Sequence, residues 1–160
     1  MNNSFREFMR RSAGSWNSQR RYIYTNQSPP KIVNYESDLS VSFVKEDEET
    51  FQVDLSWVTS DRDGKGISSG TMITIGDEFV LQRNVGYMSD EPTSCGVEMI
   101  DNDCVVLTTE YSGMRFREEI RLLNGDAIRL RQTLGWKQGQ TDPFLCGQYF
   151  EERRPVDIDP

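Results

Sequence analysis

The chain has 160 residues and a formal net charge of −8 at pH 7, and it contains three cysteines and no histidine. Its length suits one domain with one sizeable core. The acidic charge argues against a broad surface for nucleic acid or an anionic membrane, because the long-range field repels both. The lack of histidine excludes Ser-His-Asp and Cys-His catalysis, ordinary haem ligation and most zinc sites.

The cysteines and the hydropathy pattern indicate where the chain works. Cys95, Cys104 and Cys146 include no Cys-x-x-Cys pair, and one would be left over if two were bridged, which suits a reducing compartment. No run of about 18 apolar residues and no apolar leader occurs, so we expect neither membrane insertion nor secretion.

The chain begins with a predicted helix over residues 4–12, where Phe5, Phe8 and Met9 recur at helical spacing. From Trp16 onward the period changes to two, which is typical of half-buried strands. The predicted strands cover residues 16–24, 32–35, 39–44, 51–57, 67–75, 78–84, 97–100, 104–110, 114–122, 127–134 and 145–152. We expect a single domain over residues 1–155, followed by a frayed tail over residues 156–160.

Tight turns separate most of these predicted strands. The turn signals are Asp63-Gly64, Gly76-Asp77, Asn102-Asp103, Ser112-Gly113 and Asn124-Gly125. Many short strands with almost no helix between them predict an all-β fold, a closed antiparallel barrel of about ten strands with a short N-terminal helix. Closure is favoured because it removes exposed strand edges.

Charged side chains alternate along two neighbouring predicted strands and fall on one face of each. On the first strand they are Arg115, Arg117, Glu119 and Arg121, and on the second they are Arg129, Arg131 and Thr133. A three-residue turn places the two polar faces together, whereas a two-residue turn at Asn124-Gly125 places them on opposite sides. Polarity favours the shared face, because splitting the charges would bury arginines in an apolar layer at a cost of several kcal/mol.

This shared face has two interpretations. It is either the outside of the barrel or the lining of a cavity in which arginines bind carboxylates, because the guanidinium fork matches a carboxylate with two hydrogen bonds.

Several segments resemble the S-type phycobiliprotein lyases in order and spacing. They are Phe8, the string from Ser12 to Arg20 with its Gly14-Ser15-Trp16 step, residues 119–123, residues 129–131 and residues 150–153. The resemblance spans nearly the whole domain. It implies a ten-stranded barrel similar to lipocalins or fatty-acid-binding proteins, with an open-chain bilin bound inside.

The resemblance also implies roles for individual residues. By position, the propionates of the bilin are bound by Arg20, Arg129 and Arg131, with Thr133 on the same face and Trp57 packing on the chromophore. Glu119 and Glu151 are the implied catalytic carboxylates near the pyrrole nitrogens. One segment departs from the family, because residues 60–66 lack the second tryptophan that commonly follows the Trp57 strand.

The implied function is a lyase that holds the bilin noncovalently and promotes its thioether attachment to a cysteine of a phycobiliprotein subunit. The bilin is the substrate, with phycoerythrobilin expected and phycocyanobilin the alternative, and neither a cofactor nor a metal is implied. The expected location is the cytoplasm of a cyanobacterium or the plastid stroma of an alga. Two other classes remain open, a non-enzymatic carrier of a bilin or other small hydrophobic ligand and a phycobiliprotein assembly chaperone, as does the choice between monomer and homodimer.

Overall fold

The structure is a computed structural model that describes the backbone of residues 3–46, 51–60, 66–75, 80–83 and 93–155. Side chains are described for residues 4–44, 46, 51–60 and 93–155. The elements in these ranges are α1 (Asn3–Ser12), β1 (Gly14–Tyr24), β2 (Lys31–Glu46), β3 (Phe51–Ser60), β4 (Gly66–Ile75), β5 (Val80–Arg83), β6 (Thr93–Asp101), β7 (Cys104–Tyr111), β8 (Met114–Leu123), β9 (Ile128–Lys137) and β10 (Leu145–Arg153).

Most predicted elements agree with this structure. The helix predicted over residues 4–12 is confirmed by α1. The two strands predicted over residues 32–35 and 39–44 are parts of one continuous strand, β2. The predicted turns at Asp63-Gly64 and Gly76-Asp77 and the predicted tail at 156–160 lie outside the described residues.

The strands form one curled antiparallel sheet in the order β4-β3-β2-β1-β10-β9-β8-β7-β6-β5. The predicted all-β, barrel-like fold is therefore confirmed. β1 pairs with both β2 and β10, so the two ends of the chain meet in the middle of the sheet. β4 and β5 are the outermost strands, and no hydrogen-bonded ladder joins them within the described residues.

An apolar core fills the end of the barrel next to α1. Phe5 and Phe8 on the buried face of the helix pack with Trp16 and with residues of the surrounding strands. Trp16 is completely buried, and its indole N–H donates to the carbonyl of Ser12 at 3.0 Å. The helix thus covers one end of the barrel, as its apolar spacing predicts.

The hairpin between β8 and β9 does not have the predicted register. Leu122 faces Arg129 across the ladder and Glu118 faces Thr133, so four residues, 124–127, connect the strands. The connection is unusual because Asn124, Gly125 and Asp126 all have positive φ, at 53°, 62° and 66°. An even number of loop residues puts the two predicted polar faces on opposite sides of the sheet.

The prediction of one shared charged face was therefore wrong. Arg129, Arg131 and Thr133 point into the barrel, as do their β8 partners Leu122, Ile120 and Glu118. Glu119 and Arg121 lie on the outer face. The arginines can point inward because the barrel interior is not apolar at this level. Buried carboxylates offset the buried arginines there.

Two phenylalanines on opposite faces of the sheet test this assignment of inside and outside. Phe116 on β8 is 0% exposed and Phe150 on β10 is 38% exposed. We expect Phe116→Ala to lower the free energy of unfolding by about 3 to 5 kcal/mol, because it leaves a cavity. Phe150→Ala should cost less than half as much, since less apolar area leaves water there. Urea denaturation measures both values, and equal losses would contradict the assignment.

Candidate functional site

Polar side chains gather on the inner face of β1, β10, β9 and β8, directly beyond the apolar core. Strand register places them in three successive rows across the sheet. The rows are Ser18, Glu151, Arg129 and Leu122; then Arg20, Tyr149, Arg131 and Ile120; then Tyr22, Gly147, Thr133 and Glu118. We call eight of these side chains the interior polar cluster: Ser18, Arg20, Glu118, Arg129, Arg131, Thr133, Tyr149 and Glu151.

Glu151 is the most heavily bonded member of the interior polar cluster. Its Oε2 accepts from Arg129 Nε at 2.6 Å, and its Oε1 accepts from Arg131 Nη1 and from the Ser18 hydroxyl, each at 3.1 Å. Burial acts to raise the pKa of Glu151, but the cations of Arg129, Arg131 and Arg20 outweigh burial and hold that pKa below its ordinary value. Glu151 is therefore ionised at neutral pH, where it accepts hydrogen bonds and has no proton to donate.

Arg129 is the deepest cation of the site. Its side chain is 1% exposed, and its guanidinium carbon lies 5.5 Å from the ring centroid of Trp16. Burial lowers the pKa of Arg129, and the charge of Glu151 opposes that change. Its Nη2 has no hydrogen-bond partner among the described residues, so one buried donor remains for a ligand oxygen or a water.

Arg131 joins the two carboxylates of the cluster. Besides its bond to Glu151, its Nη2 lies 3.2 Å from Glu118 Oε1. Thr133 donates its hydroxyl hydrogen to the other Glu118 oxygen at 3.1 Å. The Arg131 side chain is 12% exposed, so it is more accessible to solvent than the Arg129 side chain.

Glu118 is a member of the site that the sequence analysis missed. The signal was available in β8, where Phe116, Ile120 and Leu122 alternate with charged residues. Those apolar residues define the inner face, and Glu118 lies on the same face because it is two residues from both Phe116 and Ile120. The neighbouring Glu119 was predicted instead, because the family resemblance implies it by position and the predicted register placed it on the face of Arg129 and Arg131.

Arg20 differs from the other two arginines of the cluster. Its Nε donates to the Ser18 hydroxyl at 3.1 Å, and its guanidinium carbon lies 5.4 Å from the ring centroid of Tyr149. Within the described residues Arg20 forms no ion pair. The three arginines and two glutamates therefore leave the interior polar cluster with one excess positive charge.

The remaining predicted site residues lie elsewhere. Trp57 on β3 is half-buried and packs against the apolar core. Glu119 lies on the outer face, 3.5 Å from Arg117, and the structure does not bring it together with Glu151.

Glu119 lines a groove on the outer face instead. The groove has a volume of about 810 Å³ and crosses β2, β1, β10, β9 and β8. Outward-facing side chains along it include Arg21, Glu36, Glu119, Arg121, Leu130 and Phe150. Most of these side chains lie on the face of the strands opposite to the interior polar cluster, but Arg20, Tyr149 and Arg131 of that cluster also line the groove.

Cys104 and Cys146 are poorly suited to act as nucleophiles. Burial raises the pKa of Cys104 to about 11, and the charge of Glu119 raises it further. Burial also raises the pKa of Cys146. Both side chains are therefore thiols at neutral pH, whereas the thiolate is the reactive form.

No group of three or more metal-ligating side chains occurs among the described residues. No helix among them is long and apolar enough to cross a membrane.

Comparisons with known proteins agree on one family. A family model described as CpeS-like protein matches residues 4–154. A Picosynechococcus protein named "Putative chromophore lyase CpcV" is 30% identical, over 91% of this chain and 79% of that protein. A Nostoc protein named "Putative phycocyanobilin lyase CpcS 2" is 26% identical, over 92% of this chain and 89% of that protein.

A solved structure extends the agreement to the fold. The S-type phycobiliprotein lyase CPES from Guillardia theta superposes with a TM-score of 0.69, covering 96% of this chain and 94% of that chain at 18% identity. At this identity the match supports the fold alone.

The different surroundings of Glu151 and Glu119 give a matched test of the site. We expect Glu151→Gln to lower the free energy of unfolding at pH 7 by about 3 to 5 kcal/mol, because it leaves buried arginines without their counter-charge. Glu119→Gln removes an exposed pair and should cost about 0 to 1 kcal/mol. Urea denaturation of both variants provides the comparison, and a similar cost for the two would contradict the burial of Glu151.

The stability that Glu151 contributes decreases as the pH falls. Because the pKa of Glu151 is lower in the folded state, its contribution is present above the unfolded pKa of about 4.3 and is lost as the pH falls through the folded pKa. The stability difference between the wild type and Glu151→Gln should therefore be full above about pH 5 and shrink below roughly pH 4. A difference that stays constant down to pH 3 would show that Glu151 is not held ionised.

Proposed function

This chain belongs to the CpeS-like protein family, and from that premise we propose that it is a phycobiliprotein lyase. It binds an open-chain bilin noncovalently and promotes thioether attachment of the bilin to a cysteine of a phycobiliprotein subunit. The observation that carries the proposal is the interior polar cluster, with its excess positive charge and an arginine that has no carboxylate partner among the described residues. The two named relatives come from cyanobacteria, and we place this chain in the cytoplasm of such an organism.

The charge of the interior polar cluster suits the two propionates of a bilin. Arg20 offers a guanidinium that no described carboxylate occupies, and Arg131 is the more exposed of the two arginines bound to Glu151. A propionate at either arginine would form a charge-assisted hydrogen bond in surroundings of low dielectric constant. Arg129 fixes Glu151 through its Nε, and its Nη2 remains available to a ligand oxygen.

The carboxylates and the half-buried tryptophan complete the proposed bilin site. Glu151, and Glu118 in place of the outward-facing Glu119, stabilise a protonated bilin as nearby negative charges and as acceptors of pyrrole N–H groups. Thr133 fixes Glu118 through its hydroxyl. Trp57 on β3 supplies apolar surface next to the apolar core.

In this mechanism the protein presents the bilin and the acceptor subunit supplies the nucleophile. Holding the propionates fixes the chromophore and orients its ethylidene carbon toward the incoming thiol. Protonated pyrroles make that carbon more electrophilic. The acceptor's thiol adds across the ethylidene double bond: its sulfur bonds to the ethylidene carbon, the double bond becomes a single bond, and the thiol proton ends on the adjacent ring carbon. The nucleophile belongs to the acceptor, so the raised pKa values of Cys104 and Cys146 are no obstacle to the reaction.

The proposal is tested by adding purified protein first to free phycoerythrobilin or phycocyanobilin and then to an apo-phycobiliprotein subunit. We expect a shifted visible spectrum on binding, followed by faster and more selective attachment than without the protein, detected as zinc fluorescence of the separated subunit. Binding without faster attachment would indicate a carrier instead. No spectral change with either bilin, together with binding to the apo-subunit, would indicate an assembly chaperone.

Adjacent arginines on opposite faces of β1 provide the matched variants for this assay. Arg20 points into the interior polar cluster, whereas Arg21 is exposed and donates to Asn34 at 3.2 Å. Arg20→Ala should weaken bilin binding by roughly 1.5 to 3 kcal/mol, the range for a hydrogen bond to a charged group. Arg21→Ala should bind like the wild type in the same titration. The reverse pattern would place the bilin in the outer groove, which Arg21 lines.

A further inference from the structure

Tyr149 occupies the centre of the second row of the site, between two arginines. It faces Arg20 of β1 on one side and Arg131 of β9 on the other. The guanidinium carbons lie 5.4 Å and 4.7 Å from its ring centroid, both within the range of a cation–π contact. Since β1 and β9 flank β10, the two cations approach the ring from opposite sides.

The neighbouring residues hold this ring in place. A Cβ atom at Gly147 would lie 2.9 Å from the Tyr149 hydroxyl oxygen and 3.1 Å from its Cε2, so the ring occupies the space that a side chain at position 147 would fill. Tyr22, which faces Gly147 across the ladder, packs edge-on against Tyr149 with 5.7 Å between the ring centroids. Glycine at position 147 therefore lets the Tyr149 ring lie along its own strand.

The position of the ring matters because Arg20 has few other restraints. Arg131 bonds to two carboxylates, but in the described residues Arg20 has only the Ser18 hydroxyl and the Tyr149 ring. Without the ring, the long Arg20 side chain could move toward Glu151, whose charge already acts on it. An arginine held in place before binding loses less conformational entropy when it binds a ligand.

We propose that Tyr149 is a positioning residue that holds Arg20 and Arg131 apart as two separate anion-binding groups, so that the interior selects a ligand with two carboxylates. Two strand spacings separate β1 from β9, about 9 to 10 Å. The Tyr149 ring lies between the two guanidinium groups, so one carboxylate cannot make full contact with both, whereas two carboxylates on adjacent rings of one molecule can each take one arginine. This inference rests on the proposed function, and it assigns to Tyr149 the selectivity of the site for a ligand with two carboxylates.

The test compares one bilin in two forms, the free diacid and the dimethyl ester. We expect the wild type to prefer the diacid, and Tyr149→Leu to reduce the ratio of the two affinities by about tenfold, which lies within the range of cation–π contacts. Tyr149→Phe keeps the ring and should keep most of the preference. Gly147→Ala keeps the tyrosine but displaces its ring, so it should lose preference as Tyr149→Leu does. The measurement is a spectroscopic titration of each variant with both forms.

Several results would overturn the inference. Wild-type selectivity in Tyr149→Leu, or in Gly147→Ala where Tyr149→Leu does not fold, would show that the ring does not position the arginines. An equal loss of affinity for both forms would show a merely structural role. Phe150→Leu, on the outer face of the same strand, is the control and should keep the wild-type ratio. If the wild type binds neither form, the proposed function itself fails, and that result is distinct from the others.

Discussion

The site depends on the buried ion pair between Arg129 and Glu151. Two fully buried charges are stable only with close partners, because desolvation of either one alone costs several kcal/mol. The pair therefore specifies which faces of β9 and β10 point inward, since a shift of one residue would expose one partner and leave the other buried alone. The positions of Arg131, Ser18 and Arg20 follow from this register. The interior polar cluster thus helps to determine the strand register of the fold.

The pair also divides the barrel interior into layers. Next to α1 lies an apolar core around Trp16, then the charged row with Arg129 and Glu151, and then the row with Arg20 and Arg131. Within the described residues the interior polar cluster is incompletely neutralised, because its two glutamates face three arginines. A ligand with carboxylates would supply the missing charge, and its apolar remainder could extend along half-buried walls such as that of Trp57. The arrangement supports recognition and presentation of a ligand better than nucleophilic attack by the protein.

The sequence predicted the fold well because its signals are local. Alternation and turn residues locate the strands, and Phe5, Phe8 and Met9 locate the helix. The inward orientation of Arg129 and the outward orientation of Glu119 could not be predicted so easily. They depend on whether the β8–β9 loop has an even or an odd number of residues, and three successive residues of that loop have positive φ. They also depend on Glu151, an ion-pair partner of Arg129 that is distant in sequence. The alternation in β9 is misleading as well, because Leu130 on its more apolar face points outward while Arg129 and Arg131 point inward.

A crystal structure of the complex with a bilin tests the central claim most directly, because it locates the two propionates. The account predicts carboxylate oxygens within about 3 Å of the Arg20 and Arg131 guanidinium nitrogens, the distance of a charge-assisted hydrogen bond, with the bond between Arg129 and Glu151 intact. It also predicts that Tyr149 remains between the two occupied arginines. Propionates bound instead to Arg21 and Arg121 in the outer groove, with the interior polar cluster unchanged, would contradict it.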